Sequence, residues 1–172
     1  MENSVQIHRR EAPSNVRCMI LTLSDTRTAE TDKSGQSIWQ LLEEAGHTVA
    51  AYSIVKDDKA GIQELLLQAV RNPAIEAVLM NGGTGIAPRD NAYEAVKEIL
   101  DKEMHGFGEI FRYLSFTEDI GTAAILSRAI AGVKERTAIF SMPGSTGAVK
   151  LAMTRIILPE LGHVMREIYK QP

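Results

Sequence analysis

Apolar positions along this chain alternate between two rhythms. From 16 to 23 they run almost unbroken, the pattern of a strand buried on both faces. After Ser34-Gly35, Ile38, Leu41, Leu42 and Ala45 recur at helical spacing, and Gly46 is placed to end that helix. A second strand is predicted over 48–55, and a helix over 60–71 follows with Ile62, Leu65, Leu66 and Ala69 on one face. Asn72-Pro73 breaks it before a third strand, Ala77-Val78-Leu79-Met80, which feeds a loop over 81–90 and a helix over 92–100. Beyond 100 the rhythm loosens into a short helix over 106–114 and an irregular excursion over 122–128 and 129–134. Order returns with a strand over 137–141, a glycine-bearing turn, a helix around 148–157 and a terminal helix from Pro159 to 169. The alternation predicts a three-layer α/β fold, a mostly parallel sheet with helices on both faces and right-handed crossovers.

Length and charge narrow the possibilities. With 172 residues, no repeat, no low-complexity tract and no linker, 16–172 reads as one domain and the polar leader 1–15 as a flexible N-terminal arm. A net charge of −3 without any basic run argues against a nucleic-acid partner. The leader lacks the apolar stretch of a secretory signal, and nothing later reaches the length of a membrane span, so the expectation is a soluble cytoplasmic protein. Cys18 is the lone cysteine, inside the first strand, where it reads as a small buried hydrophobe compatible with a reducing compartment. His8, His47, His105 and His163 share no metal-ligand spacing, so no zinc site is expected. Trp39 and the methionines read as core or subunit contacts rather than as a cofactor site.

Candidate chemistry collects at the carboxyl ends of the strands, where open parallel sheets bind ligands. Four polar clusters fall there: Ser24-Asp25, Lys56-Asp57-Asp58, 82–90 and 143–146. In the third, Gly82, Gly83, Thr84 and Gly85 free the backbone to turn sharply and present N–H groups to phosphate, and Arg89 adds a cationic fork. Neither common nucleotide fingerprint fits, because Pro88 stands where a dinucleotide motif needs glycine and Arg89-Asp90 where a P-loop needs Lys-Ser/Thr. A plain tight turn is the alternative. Asp90, an acid among anion-binding features, points to a divalent cation or a catalytic task, with helix N-capping as its simpler role.

Five segments in register carry a resemblance to a known family: Leu23-Ser24-Asp25, Gly82-Gly83-Thr84-Gly85 with Pro88-Arg89-Asp90, Gly106-Phe107-Gly108-Glu109, Leu126-Ser127-Arg128 and Met142-Pro143-Gly144-Ser145. The chain resembles, from 16 to its end, the molybdopterin-binding family of Rossmann-like α/β proteins that includes bacterial MoaB and MogA and the G domains of gephyrin. Pro143 to Thr146 and the short carboxyl terminus look more like MoaB. The resemblance implies a homotrimer or homohexamer that binds molybdopterin, works with other molybdenum cofactor biosynthesis proteins, and transfers AMP from Mg-ATP to the terminal phosphate of molybdopterin. It implies Asp57 and Asp90 as catalytic residues and Mg2+ ligands, with Asp57 not separable from Asp58 by sequence. It also implies a substrate pocket of Ser24, Asp25, Gly82, Gly83, Thr84, Gly85, Arg89, Pro143, Gly144 and Ser145, with Ser127 and Arg128 toward the pterin or its phosphate. The alternative within the family is a non-catalytic molybdopterin carrier. Two departures stand out: Asn81 where many members have threonine, and Gly147 where MogA-like members often have lysine.

Overall fold

The computed structural model describes residues 4–170. Among these, six strands form one sheet in the order β2-β1-β3-β6-β5-β4. β1 (Arg17–Leu23) lies between β2 (Thr48–Val55) and β3 (Ala77–Asn81), and β6 (Thr137–Met142) continues the sheet beyond β3, all four parallel. Helices fill both faces. Cys18 and Ile20 point toward α2 (Lys33–Glu44), α5 (His105–Glu118), α6 (Thr146–Ala152) and α7 (Leu158–Tyr169), while Met19 and Leu21 point toward α3 (Lys59–Arg71) and α4 (Ala92–Ile99). Ile20 and Leu21 are both fully buried, each contributing about 1.5–3 kcal/mol through removal of apolar area from water. The three-layer, mostly parallel α/β architecture is the one expected.

Three segments differ from expectation. The excursion over 129–134 contains a strand, β5 (Ile130–Lys134), antiparallel to both β6 and the short β4 (Lys102–Glu103). Gly132 hides it, because glycine lowers strand propensity; here it is needed, since a Cβ would fall 2.3 Å from the Lys102 carbonyl. Residues 121–128 hold a short 3-10 helix, Gly121–Leu126. At the amino end, Ser4–Arg10 forms a helix, α1, where a flexible arm was expected; residues 1–3 of that arm lie outside the described residues. No apolar signature marks α1 because polar pairs dock it: Arg9 with Glu160 and, just beyond its end, Glu11 with Arg166 at 2.7 Å. Between α6 and α7 the chain stays helical through a π turn, Met153–Ile157, placed just before Pro159, which has no N–H to donate. No helix among the described residues is long and apolar enough to cross a membrane.

Because β1 leads out to β2 on one side and the chain then crosses back to place β3 on the other, the strand order reverses between β1 and β3. A crevice therefore opens at their carboxyl ends, and the loops after β1, β2, β3 and β6 surround it.

Candidate functional site

The loop after β3 begins with two glycines in the left-handed region, Gly82 at φ 102° and Gly83 at φ 65°. Their backbone serves contact as well as turning. The Gly82 N–H donates to the Met142 carbonyl at 3.0 Å, and a Cβ on Gly144 would lie 3.1 Å from the Gly82 Cα, so the two glycine turns touch. A Cβ at Gly83 would lie 2.2 Å from Asp57 Oδ2, and one at Gly85 would lie 2.6 Å from Asp90 Oδ2. Both positions must be glycine so that carboxylates can close on the loop.

The two adjacent acids after β2 have separate tasks. Asp58 caps α3, its carboxylate accepting from the Gly61 N–H at 2.8 Å. Asp57 crosses to the next loop, where Oδ1 accepts from the Asn91 N–H at 3.0 Å and its carbonyl accepts from Asn91 Nδ2 at 2.9 Å. Burial raises the Asp57 pKa; the Asn91 N–H opposes this, and the nearby charges of Asp90 and Asp25 add to it. Asp57 thus feels both other carboxylates, although among the described residues the three do not gather their oxygens to within 4.8 Å as a ready-made cage. Asp90 is not the N-cap of α4. Asn91 holds that position, and Asp90 Oδ2 instead accepts from the Ala87 N–H at 2.8 Å, folding the loop back on itself.

Arg128 is the clamp of this loop. Nε donates to the Gly85 carbonyl at 2.7 Å, Nη2 to the Asp90 carbonyl at 3.0 Å, and Nη1 pairs with Glu94, while the guanidinium lies 5.3 Å from the Tyr93 ring centroid. Its fork is engaged by protein, so in this structure it positions the loop that carries Asp90. Its neighbour Ser127 borders a cavity of about 400 Å³ between α4 and α5 that Tyr93, Arg112 and Arg128 also line. The Ser127 Oγ is buried and unpaired among the described residues. Thr84 is buried, its carbonyl accepting from the Arg128 N–H, and Arg89 is exposed.

The remaining predicted residues border the crevice. Ser24 Oγ accepts from the Thr26 and Arg27 N–H groups at 3.2 and 3.1 Å, shaping the turn that carries the exposed Asp25. Ser145 caps α6 through Ala148, after the half-buried Pro143 and Gly144.

One constellation escaped the sequence. Asp32, fully buried, caps α2 through the Gly35 N–H and accepts from Thr22 at 2.6 Å, Tyr52 at 2.7 Å, Ser34 at 3.0 Å and Arg27 at 3.3 Å. Asn81 joins by donating to Thr22 and accepting from Ser34. Arg27 leaves this buried network to donate from Nη2 to the Gly144 carbonyl at 3.1 Å, a guanidinium at the edge of the crevice. No spacing rule links residues 22, 27, 32, 52 and 81; only the fold does.

The glycine loop and its flanking carboxylates thus lie at the switch point of an open, mostly parallel α/β sheet, the place where such folds bind ligands. The chain belongs to the family of probable molybdopterin-binding domains, whose pattern spans residues 19–163. It is 71% identical over 167 residues to molybdenum cofactor biosynthesis protein B of Halalkalibacterium halodurans, covering 97% of this chain and 98% of that one. It is 60% identical, over the same shares, to the protein of that name from Bacillus subtilis. Among solved structures, a molybdenum cofactor biosynthesis protein B superposes with a TM-score of 0.90 at 58% identity, covering 93% of this chain and 99% of that one. The tungsten cofactor synthesizing protein MoaB of Pyrococcus furiosus does so with a TM-score of 0.81 at 37% identity, covering 92% and 100%.

Proposed function

We propose that this protein acts in molybdenum cofactor biosynthesis by transferring AMP from Mg-ATP to molybdopterin. The observation that carries this is the meeting of Asp57 and Asp90, from two different strand-end loops, on glycines that admit no side chain. Their mutual repulsion at a half-buried site is what a cation would relieve, and two carboxylates with no closed cage suit magnesium, which completes its shell from substrate phosphates. Bound there, Mg2+ supplies neutralisation of phosphate charge.

In the reaction an oxygen of the molybdopterin phosphate forms a bond to the α-phosphorus of ATP, and the bond to the departing oxygen breaks, releasing pyrophosphate. This chain's contribution is placement. Backbone N–H groups of the 83–85 turn and at Ser145 donate to phosphate oxygens. Arg27, held by Asp32 and Gly144, and the exposed Arg89 of the loop after β3 offset negative charge. Arg128 keeps Asp90 in register, and the unpaired Ser127 hydroxyl receives a polar edge of the pterin. A homo-oligomer is part of the proposal, supported by exposed apolar residues on one side of α5 and the adjoining 3-10 turn: Ile110, Tyr113, Phe116, Ile120 and Ile125.

One observation favours a second reading, a carrier without turnover. Both aspartates already accept backbone N–H groups and so also serve the loop's own structure. Incubating the protein with molybdopterin and Mg-ATP separates the two: pyrophosphate release with adenylylated molybdopterin supports the enzyme, and tight molybdopterin binding without release supports the carrier.

A further inference from the structure

The four histidines share no metal-binding spacing, yet the fold brings two of them together. His8 on α1 and His163 on α7 have ring centroids 5.6 Å apart at a tilt of 58°, and Glu167 stands one helical turn beyond His163. One ligand atom from each of His8, His163 and Glu167 lies within 4.8 Å of the other two. We propose that these three residues form a binding site for a zinc-class divalent transition metal that fastens α1 to α7, separate from the strand-end crevice.

The donor set fits that class. Two imidazoles and a carboxylate match the nitrogen- and oxygen-rich sites that zinc and its neighbours prefer and that magnesium does not. Metal–ligand distances of about 2.1 Å in a tetrahedron put ligand atoms about 3.4 Å apart. His8 Nδ1 and Glu167 Oε1 already stand 3.6 Å apart, so little movement completes that edge. His163 has a carboxylate partner for one ring nitrogen, as metal-binding histidines commonly do. Its Nδ1 lies 2.9 Å from Glu160 Oε2, so a neutral ring donating from Nδ1 to that carboxylate offers Nε2 to a metal.

Other charges face the site and must be accommodated. Arg9 pairs with Glu160 and keeps it ionised. Arg166 Nη1 lies 2.8 Å from Glu167 Oε1, and Lys170 Nζ 3.5 Å from Oε2. A metal taking Oε1 displaces Arg166 from that oxygen, but Arg166 retains Glu11 at 2.7 Å. His163 and Glu167 also border a cavity of about 610 Å³ beside α7, which leaves room for water as a fourth ligand.

The test is calorimetric titration of the chelator-treated full-length protein with zinc chloride, in excess magnesium. The expected result is one zinc per chain, with affinity reduced at least about tenfold in each of His8→Gln, His163→Gln and Glu167→Gln. A zinc-dependent rise in Tm should be lost in the same variants. His105→Ala, which removes a histidine paired with Glu103 elsewhere on the surface, should bind zinc as the wild type does. Circular dichroism of each variant without zinc checks that the fold is kept. Absence of stoichiometric binding by the wild type overturns the proposal, as does unchanged affinity in both histidine variants. Neither result bears on AMP transfer, which uses different residues.

Discussion

Asp32→Ala should be the most destabilising single substitution at the edge of the crevice. The carboxylate is fully buried and receives donors from Thr22, Tyr52, Ser34, Arg27 and the Gly35 N–H. A hydrogen bond to a charged group contributes about 1.5–3 kcal/mol and the helix cap about 1 kcal/mol. These contributions do not add, because the freed donors partly find each other or water. Stripping one member from a buried charged network costs about 3–5 kcal/mol, and that is the expected loss. Against a total stability of about 5–15 kcal/mol the effect is large and easily measured. Guanidinium unfolding of wild type, Asp32→Ala and Asp32→Asn gives the number, with Asn retaining shape and part of the bonding. The pH dependence supplies a second check. Burial alone would raise the Asp32 pKa, but its donors, led by Thr22 and Tyr52, outweigh burial and hold it below the ordinary value. A depressed carboxylate stabilises the fold above its unfolded pKa, near 4, and loses that contribution as pH falls through the folded value. The gap between wild type and Asp32→Asn should therefore narrow in acid. A loss below about 1 kcal/mol for Asp32→Ala at neutral pH would refute the reasoning.

Three further outcomes follow from the same geometry. Asp57 has the opposite linkage: its raised pKa, from burial and then the charges of Asp90 and Asp25, means stability falls as pH rises from near 4 through the folded value. Asp57→Asn should therefore show a higher Tm than wild type near pH 7 and a flatter Tm–pH curve in acid, by differential scanning calorimetry. Arg128→Lys cannot reach the Gly85 and Asp90 carbonyls and Glu94 together, so AMP transfer should fall about 10–100-fold with a Tm loss of only a few degrees; unchanged transfer would remove Arg128 from the account. Phe116→Asp places a charge on the exposed apolar side of α5 and should shift sedimentation toward monomer, whereas an unchanged oligomer would show that this face is not the contact.

What could be read from the chain follows the range of the interactions involved. β1 and β3 were legible because strands buried on both faces carry unbroken apolar runs, and α2 and α3 because one face recurs at 3.6 residues. β5 was not, since Ala131 and Gly132 look like loop residues until the antiparallel partners β4 and β6 supply the reason for them. The docking of α1 was invisible because ion pairs 151 and 155 positions apart leave no periodic trace. At the crevice the glycine turn and its flanking acids could be seen locally, but the division of labour between Asp57 and Asp58 could not. It depends on Asn91 standing across the gap. Likewise Arg128 looked like a ligand contact, and its occupation by Gly85, Asp90 and Glu94 emerges only when α4 and β5 pack together.

The most direct test is single-turnover AMP transfer from Mg-ATP to molybdopterin by wild type, Asp57→Asn and Asp90→Asn, with molybdopterin affinity measured on the same samples. The account predicts transfer in the wild type, a loss of at least about a hundredfold in each variant, and molybdopterin affinity preserved within a few-fold. Transfer at the wild-type rate in both variants would contradict it, and so would a wild type that binds molybdopterin without any transfer.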